Sequence, residues 1–498
     1  MIHFGDWLRH WSQRTPSAEA LFEPDTGRRW TYAQLDARAN RLACALQELG
    51  VQRGDRVAVL AHNCGEQLEL LFACGKLGAV HSPLNWRLTA HELDFIVRDA
   101  EPHLLFFDRA CADLADALPA SRRIVFGAPY ESLLAAATSD APPPWPPAGL
   151  EDPIILLYTS GTTGHPKGAL LPHRQLIYNS HNTDLAVGLS ARDSTLVFLP
   201  LFHTGGLNCL ATPLLHRGGR VVLLGSFDAE RVSLLTERER ISTHMGVPTT
   251  FQMIAEQPAF GRADWSSVRF ALCGGAPCPL GLIETYRERG VLFRQGYGLT
   301  EVGPNDFSLT AEDAFRKAGS IGFPNFYLNA RIVDDSGGDV GPDQVGELVL
   351  CGPVVCLGYF RNPAATAAAL RDGWFFTGDL ARRDAQGYHF IVDRKKDMFI
   401  SGGENVYPAE IEQALAAHPD VAEAAVIGVA DARWGEVGRA LVALRAGASA
   451  READLVAHCQ SRLARFKVPR SIVLVPALPR GASGKVLKPA LKERYGKA

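Results

Sequence analysis

The chain lacks most of what would mark a membrane-spanning, secreted or nucleic-acid-binding protein. No run approaches eighteen consecutive apolar residues, the length at which a segment reads as a spanning helix, so an integral membrane segment is not expected. The start, Met1-Ile2-His3-Phe4-Gly5-Asp6, has no basic region followed by an apolar run, the pattern of a secretory signal. Charge of one sign is missing as well. The 51 Lys and Arg oppose 54 Asp and Glu, a net −3 that gives no footprint for nucleic acid. Metal-knuckle spacing is also absent, because Cys273/Cys278 and Cys351/Cys356 are each five apart, too wide for a CxxC pair. The ten cysteines read as buried free thiols, and these points together predict a cytoplasmic protein.

At 498 residues the chain is too long for one hydrophobic core, and its 47% apolar and 21% charged content is that of a globular protein of two or three domains. The first hundred residues alternate in type. A helical pattern runs from Thr31 to Leu49 with a stop at Gly50, Arg56 to Leu60 reads as a strand, Glu66 to Leu77 as a helix closed by Gly78, and Leu104 to Phe107 as a strand. Strands alternating with helices of this length predict parallel βαβ units. The run Pro142 to Pro147 cannot continue a helix or a central strand and reads as a surface connection. From about residue 319 the pattern changes to strands and turns, a β-rich subdomain before residue 393. The charged cluster Asp393-Arg394-Lys395-Lys396-Asp397 then precedes a last stretch with its own α+β pattern. Such a cluster reads equally as a solvated loop or a hinge.

Just after the proline run lies Tyr158-Thr159-Ser160-Gly161-Thr162-Thr163-Gly164-His165-Pro166-Lys167-Gly168, directly after the apolar run Ile154 to Leu157. Glycine lets backbone approach a ligand, hydroxyls hydrogen-bond it and lysine adds charge, a set suited to phosphate. It is not the common phosphate loop: counting from Gly161, position 166 is Pro and position 168 is Gly. A plain turn between strands is the other reading.

Four further clusters accompany it: Leu199-Pro200-Leu201-Phe202-His203-Thr204-Gly205-Gly206-Leu207-Asn208; Leu272-Cys273-Gly274-Gly275-Ala276-Pro277 with Gln295-Gly296-Tyr297-Gly298-Leu299-Thr300-Glu301; Trp374-Phe375-Phe376-Thr377-Gly378-Asp379-Leu380; and Pro479-Arg480-Gly481-Ala482-Ser483-Gly484-Lys485. In order and wording these blocks resemble the adenylate-forming enzymes, which include acyl-CoA synthetases, peptide-synthetase adenylation domains and beetle luciferases. The resemblance runs from Thr31 to Lys485. It implies an α/β fold with a large N-terminal domain of several subdomains and a small mobile α+β C-terminal domain. The expected boundaries are 1–393, a hinge at 394–397, and 398–498.

The resemblance also implies a chemistry and its residues. A carboxylic acid attacks the α-phosphate of ATP, giving an acyl-adenylate and pyrophosphate, and the thiol of coenzyme A then takes the acyl group. The carboxylate is already ionised, so the first step needs positioning and charge neutralisation, not a general base. By resemblance, Thr159, Ser160, Gly161, Thr162, Thr163, Gly164 and Lys167 would handle the outer phosphates, and Thr159 and Glu301 a magnesium ion. Thr300 would contact the α-phosphate, Tyr297 between Gly296 and Gly298 would lie against adenine, and Gly274, Gly275 and Ala276 would form a flat wall. Asp379 would accept the ribose hydroxyls with Arg394 nearby, and Lys485 would bridge carboxylate and α-phosphate. His203 would gate an acyl pocket lined by Gly206, Leu207, Val247 and Gly275, with Gly205 and Gly206 leaving room on one side. Lys396 would be the hinge, and Ser401, Gly402 and Gly403 would line the coenzyme A passage.

Each residue has a plainer reading: Asp379 as a turn cap, Glu301 as a solvated acid, Lys485 as a surface lysine, His203 as a satisfied core residue. Within the family, His203 after Phe202 disfavours an amino-acid substrate, which needs an Asp there, and no cation in the pocket segments is placed for a second carboxylate. The expectation is a carboxylate–CoA ligase for a fatty or aryl/arylpropenoic acid, monomeric or homodimeric. The alternatives are an enzyme that loads a carrier protein, a luciferase-like oxygenase, and a catalytically silent protein of the same fold.

Overall fold

A computed structural model describes residues 3–137, 148–159, 166–276, 278–401, 404–431, 434–463, 465–481 and 485–496. The chain divides into two compact units, one made of Met1–Ala330 and Leu350–Phe376, the other of Arg331–Val349 and Thr377–Ala498. The division differs from the expected one at 393, because strand segments 331–349 and 377–394 group with the C-terminal residues. Among the described residues no helix is long and apolar enough to cross a membrane.

The first unit holds two mostly parallel sheets, as the strand–helix alternation predicts. One has six strands in the order Arg123–Val125, Leu104–Phe107, Arg56–Leu60, Val80–Leu84, β1 (Pro153–Thr159) and β2 (Lys167–Pro172), parallel except for β1 against β2. Helix α1 (His173–Val187) follows β2. The nine-stranded sheet is parallel from Glu19–Glu23 through Arg220–Leu223, Ser194–Val197, Thr243–Gly246 and Phe270–Cys273 to β3 (Phe293–Leu299). Antiparallel strands flank this core, among them β4 (Gly303–Ser308) on β3.

Local rules place the helices. Helix Tyr32–Glu48 starts at a capping box in which Thr31 and Gln34 satisfy each other's backbone N–H groups, and it buries Leu35, Leu42 and Leu46. Helix Gly65–Leu77 ends at Gly78, whose φ of +76° is a left-handed conformation that favours glycine. The run 142–147 lies outside the described residues.

In the second unit, β5 (Trp374–Arg383), from Thr377 onward, pairs antiparallel with β6 (His389–Arg394). A second sheet orders Glu404–Val406, Phe399–Ser401, β8 (Gly435–Leu444) and β7 (Val421–Asp431), where α2 (Pro408–Ala416) precedes β7, and Ser471–Leu474 lies parallel on β8. Alternation along β7 sends Val426 to one face, with Ile411, Leu415 and Leu455, and Ile427 to the other, with Leu478 and Leu491 of α3 (Lys488–Tyr495). Each face thus has its own helical cover. All ten cysteines are free; eight are buried and Cys64 and Cys351 are half-buried.

Candidate active site

Strands β1 and β2 are antiparallel with Thr159 opposite Lys167, so the glycine segment joins two strands. The common phosphate loop joins a strand to a helix, and the failed spacing reflects that difference. Ser160, Gly161, Thr162, Thr163 and Gly164 themselves lie outside the described residues. Thr159 closes β1 and donates its hydroxyl to Glu301 Oε1 at 3.4 Å. Tyr359 donates to the same oxygen at 3.0 Å, and the Lys167 ammonium lies 5.3 Å from the centre of the Tyr359 ring.

Tyr359 was not among the sequence-derived residues. Its place follows from a ladder in which Leu357 N–H donates to Leu170, Leu170 N–H to Gly358 and Phe360 N–H to Gly168. Cys356 N–H, one step earlier, donates to the Glu301 carbonyl at 2.7 Å. The 356–360 segment thereby stitches β2 to the turn that carries Glu301.

Glu301 is buried, yet among the described residues its carboxylate is met by those two hydroxyls and by no lysine or arginine. A shielded carboxylate without a cationic partner is costly unless a cation joins it. The oxygen donors of Thr159 and Glu301 suit a hard ion such as magnesium.

The turn between β3 and β4 has a second acid, Asp306, fully buried, which accepts Leu299 N–H through Oδ2 at 3.2 Å. Burial pushes its carboxyl well above the ordinary carboxylate range, against the Leu299 hydrogen bond and with the added push of Glu301's charge. Gly298 is fixed here too, since a Cβ would run into the Pro304 carbonyl oxygen. Thr300 is buried and its carbonyl accepts from Gln175 Nε2 on α1 at 2.9 Å. Tyr297 sits edge-on to Phe307, with ring centres 5.7 Å apart. Gly296 lies across from Gly274: a Cβ on Gly274 would stand 3.4 Å from the Gly296 carbonyl oxygen. Gly275, at φ +80°, would meet Val247 at 3.5 Å in the same way. These pairs bring the expected wall residues together, Ala276 following directly in the chain. Pro277 lies outside the described residues.

On the acyl side, His203 Nδ1 accepts Gly205 N–H at 3.0 Å and its carbonyl accepts Gly206 N–H. Gly205 and Gly206 line a small cavity with Leu199, Leu210 and Met245. Gly206 is nevertheless glycine for a reason other than open room: a Cβ there would collide with the carbonyl oxygens of Leu199 and Pro200. Leu207, expected as a pocket wall, is buried in the main apolar core with Leu176 and Leu201. Asn63, which the sequence did not single out, clamps this turn: it donates to the Leu199 and Leu224 carbonyls and accepts Leu201 N–H at 2.9 Å.

In the second unit Asp379 and Arg394 stand opposite each other on β5 and β6, with Arg394 Nε 2.5 Å from Asp379 Oδ1. Asp379 is buried, its N–H donates to the Thr377 hydroxyl, and Gly378 takes a φ of +71° to make the bend. The turn-cap role foreseen for Asp379 thus falls to Thr377. In the expected hinge, Lys395 pairs with Asp335 and Glu347, while Lys396 is exposed. Ser401 is buried opposite Glu404; Gly402 and Gly403 lie outside the described residues. Lys485 is exposed; its carbonyl accepts Gly481 N–H, and Leu487 N–H donates to the Pro479 carbonyl.

Strand ends that bring together Lys167, the buried Glu301 carboxylate with no lysine or arginine on it among the described residues, and facing glycines are the arrangement expected of a nucleotide-handling α/β enzyme. The chain belongs to the AMP-binding enzyme family, whose model matches residues 8–360 and whose C-terminal domain matches residues 410–485. It is 44% identical to a feruloyl-CoA synthase from an Amycolatopsis species, covering 99% of each chain. It is 41% identical to an indoleacetate–CoA ligase from Aromatoleum aromaticum, covering 99% of this chain and 98% of that protein. The o-succinylbenzoate CoA synthetase of Bacillus subtilis, solved with its acyl-adenylate intermediate, superposes with a TM-score of 0.88 at 33% identity over 98% of both chains. With CoA ligases matched end to end, the chain is an AMP-forming acid–thiol ligase, a class that uses ATP, magnesium and coenzyme A.

Proposed function

We propose that the acid is an aryl or arylpropenoic acid such as ferulate, with fatty acids as poorer substrates. One carboxylate oxygen forms a bond to the α-phosphorus while the bond to the β-phosphate oxygen breaks and pyrophosphate leaves. The thiol sulfur then bonds to the acyl carbon, AMP departs, and the thiol proton goes to solvent. The carrying observation is the shielded Glu301 carboxylate beside Thr159, a cation site next to the phosphate-side Lys167. Thr159 and Glu301 would hold magnesium, which supplies charge neutralisation for the phosphates.

The other roles rest on the resemblance and on this local geometry. Thr300 lies at the α-phosphate, Tyr297 and the 274–276 wall at adenine, Asp379 with Arg394 at ribose, and Lys485 at the developing charge. His203, Gly206, Leu207, Val247 and Gly275 border the acyl group. Residues 394–397, with Lys396, form a hinge about which 398–498 turns, so that Ser401, Gly402 and Gly403 serve the thiol step. The mostly apolar lining of the small cavity at Gly205 and Gly206, with Leu199, Leu210 and Met245, supports an aryl acid over a dicarboxylate. The enzyme works in the cytoplasm, as a monomer or homodimer.

The test is pyrophosphate release and CoA-thiol consumption with ferulate, indoleacetate, octanoate and malonate, ranked by kcat/KM. Ferulate is expected to exceed malonate by at least about 100-fold, the cost of burying an unpaired charge. Malonate ranked first, or pyrophosphate release with none of them, overturns the proposal.

A further inference from the structure

Residues 207–211 form a helical turn wider than an α-turn, beside the cavity at Gly205 and Gly206. Leu207 N–H donates four residues back, to His203, but Thr212 N–H donates five residues back, to Leu207. That π turn deprives the Asn208 carbonyl of its regular helical donor. The Cys209 carbonyl lacks its own for a different reason: four residues on stands Pro213, which has no N–H. Asn208 and Cys209 are both buried, where a carbonyl needs a donor.

Two side-chain amides meet the two carbonyls. Asn179 Nδ2 on α1 donates to Asn208 at 2.8 Å, and Asn305 Nδ2 on β4 donates to Cys209 at 2.9 Å. The second hydrogen of the Asn305 amide goes to the Thr183 hydroxyl, which itself donates to the Asn179 carbonyl at 2.8 Å. One turn before Asn179, Gln175 holds the Thr300 carbonyl, and Asn305 follows Glu301 by four residues. Helix α1 and β4 thus tie the turn at Glu301 to the turn at Asn208. Leu210, inside the π turn, lines the cavity with Leu199, Gly205, Gly206 and Met245. Relaxation of the turn to a regular helix would rotate the side chains at its end, Leu210 among them, by up to about 100°.

We propose that Asn179 and Asn305 are positioning residues that set the acid specificity: by capping the carbonyls of Asn208 and Cys209 they keep the π turn open and Leu210 in the cavity wall. The proposal rests on the reading of that cavity as the acyl site. Neither amide lines the cavity itself.

The experiment measures pyrophosphate release by the full-length protein with ferulate and octanoate. Asn179→Leu and Asn305→Leu keep the side-chain size and remove the donor. Each is expected to lower kcat/KM for ferulate by about 10-fold, chiefly through the KM for the acid. The ferulate-to-octanoate ratio should fall by about 5-fold, because a straight chain adapts to a shifted wall better than a planar ring does. The KM for ATP should stay within about 2-fold. Pro213→Ala returns a backbone N–H to the turn, so Asn305→Leu on that background should come within about 2-fold of the ratio for Pro213→Ala alone. A merely structural role would depress both acids equally. That result, a ratio unmoved in both variants, or no recovery on the Pro213→Ala background overturns the proposal. Asn305, only half-buried, keeps the test decisive where Asn179→Leu does not fold. A wild-type enzyme that ranks malonate first, or releases pyrophosphate with no acid, overturns the proposed function and this inference with it. If the wild type ranks the acids as proposed and the variants leave the ratio alone, only the positioning role falls.

Discussion

The two units hold their candidate residues by different physics. In the first, Thr159 and Glu301 stand at or just past the ends of strands, and the backbone itself fixes them: Thr159 by the β1–β2 register, Glu301 by the Cys356 N–H. In the second, Lys396 and Lys485 are exposed on turns, and charged side chains do the anchoring, with Lys395 on Asp335 and Glu347, and Lys488 on Glu412. A backbone ladder yields little under single side-chain changes, whereas an ion pair can be cut by one. Pre-organised groups suit the phosphate and metal binding proposed for the first unit, and anchors that can be remade suit the turning arm proposed for the second.

The largest expected effect breaks this contrast most directly. Lys485→Ala should lower adenylation by at least about 10²- to 10³-fold, the scale for removing one group that stabilises developing charge. Thioester formation from supplied acyl-adenylate should persist. Glu301→Gln should act on both ATP and magnesium, lowering adenylation by at least about 10-fold and raising the magnesium concentration needed for half-activity. The diagnostic is a magnesium titration of pyrophosphate release. If Lys485→Ala shifts that titration as Glu301→Gln does, the division of labour between the units is wrong.

Much of this was legible in the sequence. The helix opening at Thr31, the Gly78 stop and the strand 56–60 follow from local rules, and the structure places them within a residue or two. Glu301 and Thr159 were legible as motif residues, and they meet. Tyr359 was not, because its position depends on pairing with Ala169, 190 residues away, which no local pattern encodes. Gly206 was read as room for a ligand when its neighbours, the carbonyls of Leu199 and Pro200, leave no space for a side chain. The contact-based division of the chain also departs from chain order, for a related reason. Chain order places 331–349 with the first unit, but Thr377 donates to the Leu348 carbonyl, Asp343 N–H to Arg383 and Lys395 to Glu347. Such hydrogen bonds follow the fold, not the order of the chain.

A smaller effect sharpens the contrast through pH. The first unit buries His81, His173 and His244 and half-buries His216, and burial pushes all four rings down to about 3, so each stays neutral when folded. Their unfolded value is 6.5. With the folded value depressed, the stabilisation is complete above the unfolded pKa and is lost as pH falls from there towards 3. Each contributes up to about 2 kcal/mol of destabilisation at pH 5. The first unit should therefore unfold in mild acid, between about pH 6 and 4. Trp434 is the one tryptophan in the range of the second unit, so a Trp434→Phe variant leaves fluorescence that reports the first alone. An acid midpoint unchanged by His244→Gln would remove that residue from the explanation.

The smallest expected change concerns Asp306. Its carboxyl is raised in the fold, so between its ordinary value of 3.8 and its folded value the unfolded chain ionises while the folded chain keeps its proton. Ionisation of the unfolded state alone favours unfolding, and the penalty grows as pH rises through that window. Asp306→Asn removes the titration and can still accept Leu299 N–H through its amide oxygen. The variant should gain stability at pH 8, by about 1 kcal/mol or more, or a few degrees in Tm, and gain least near pH 4. Because Asp306 fixes the β3–β4 turn next to Glu301, the KM for ATP should stay within about 2-fold if its part is to hold that turn by a neutral hydrogen bond. A variant that loses stability at pH 8 would show that Asp306 is ionised in the fold.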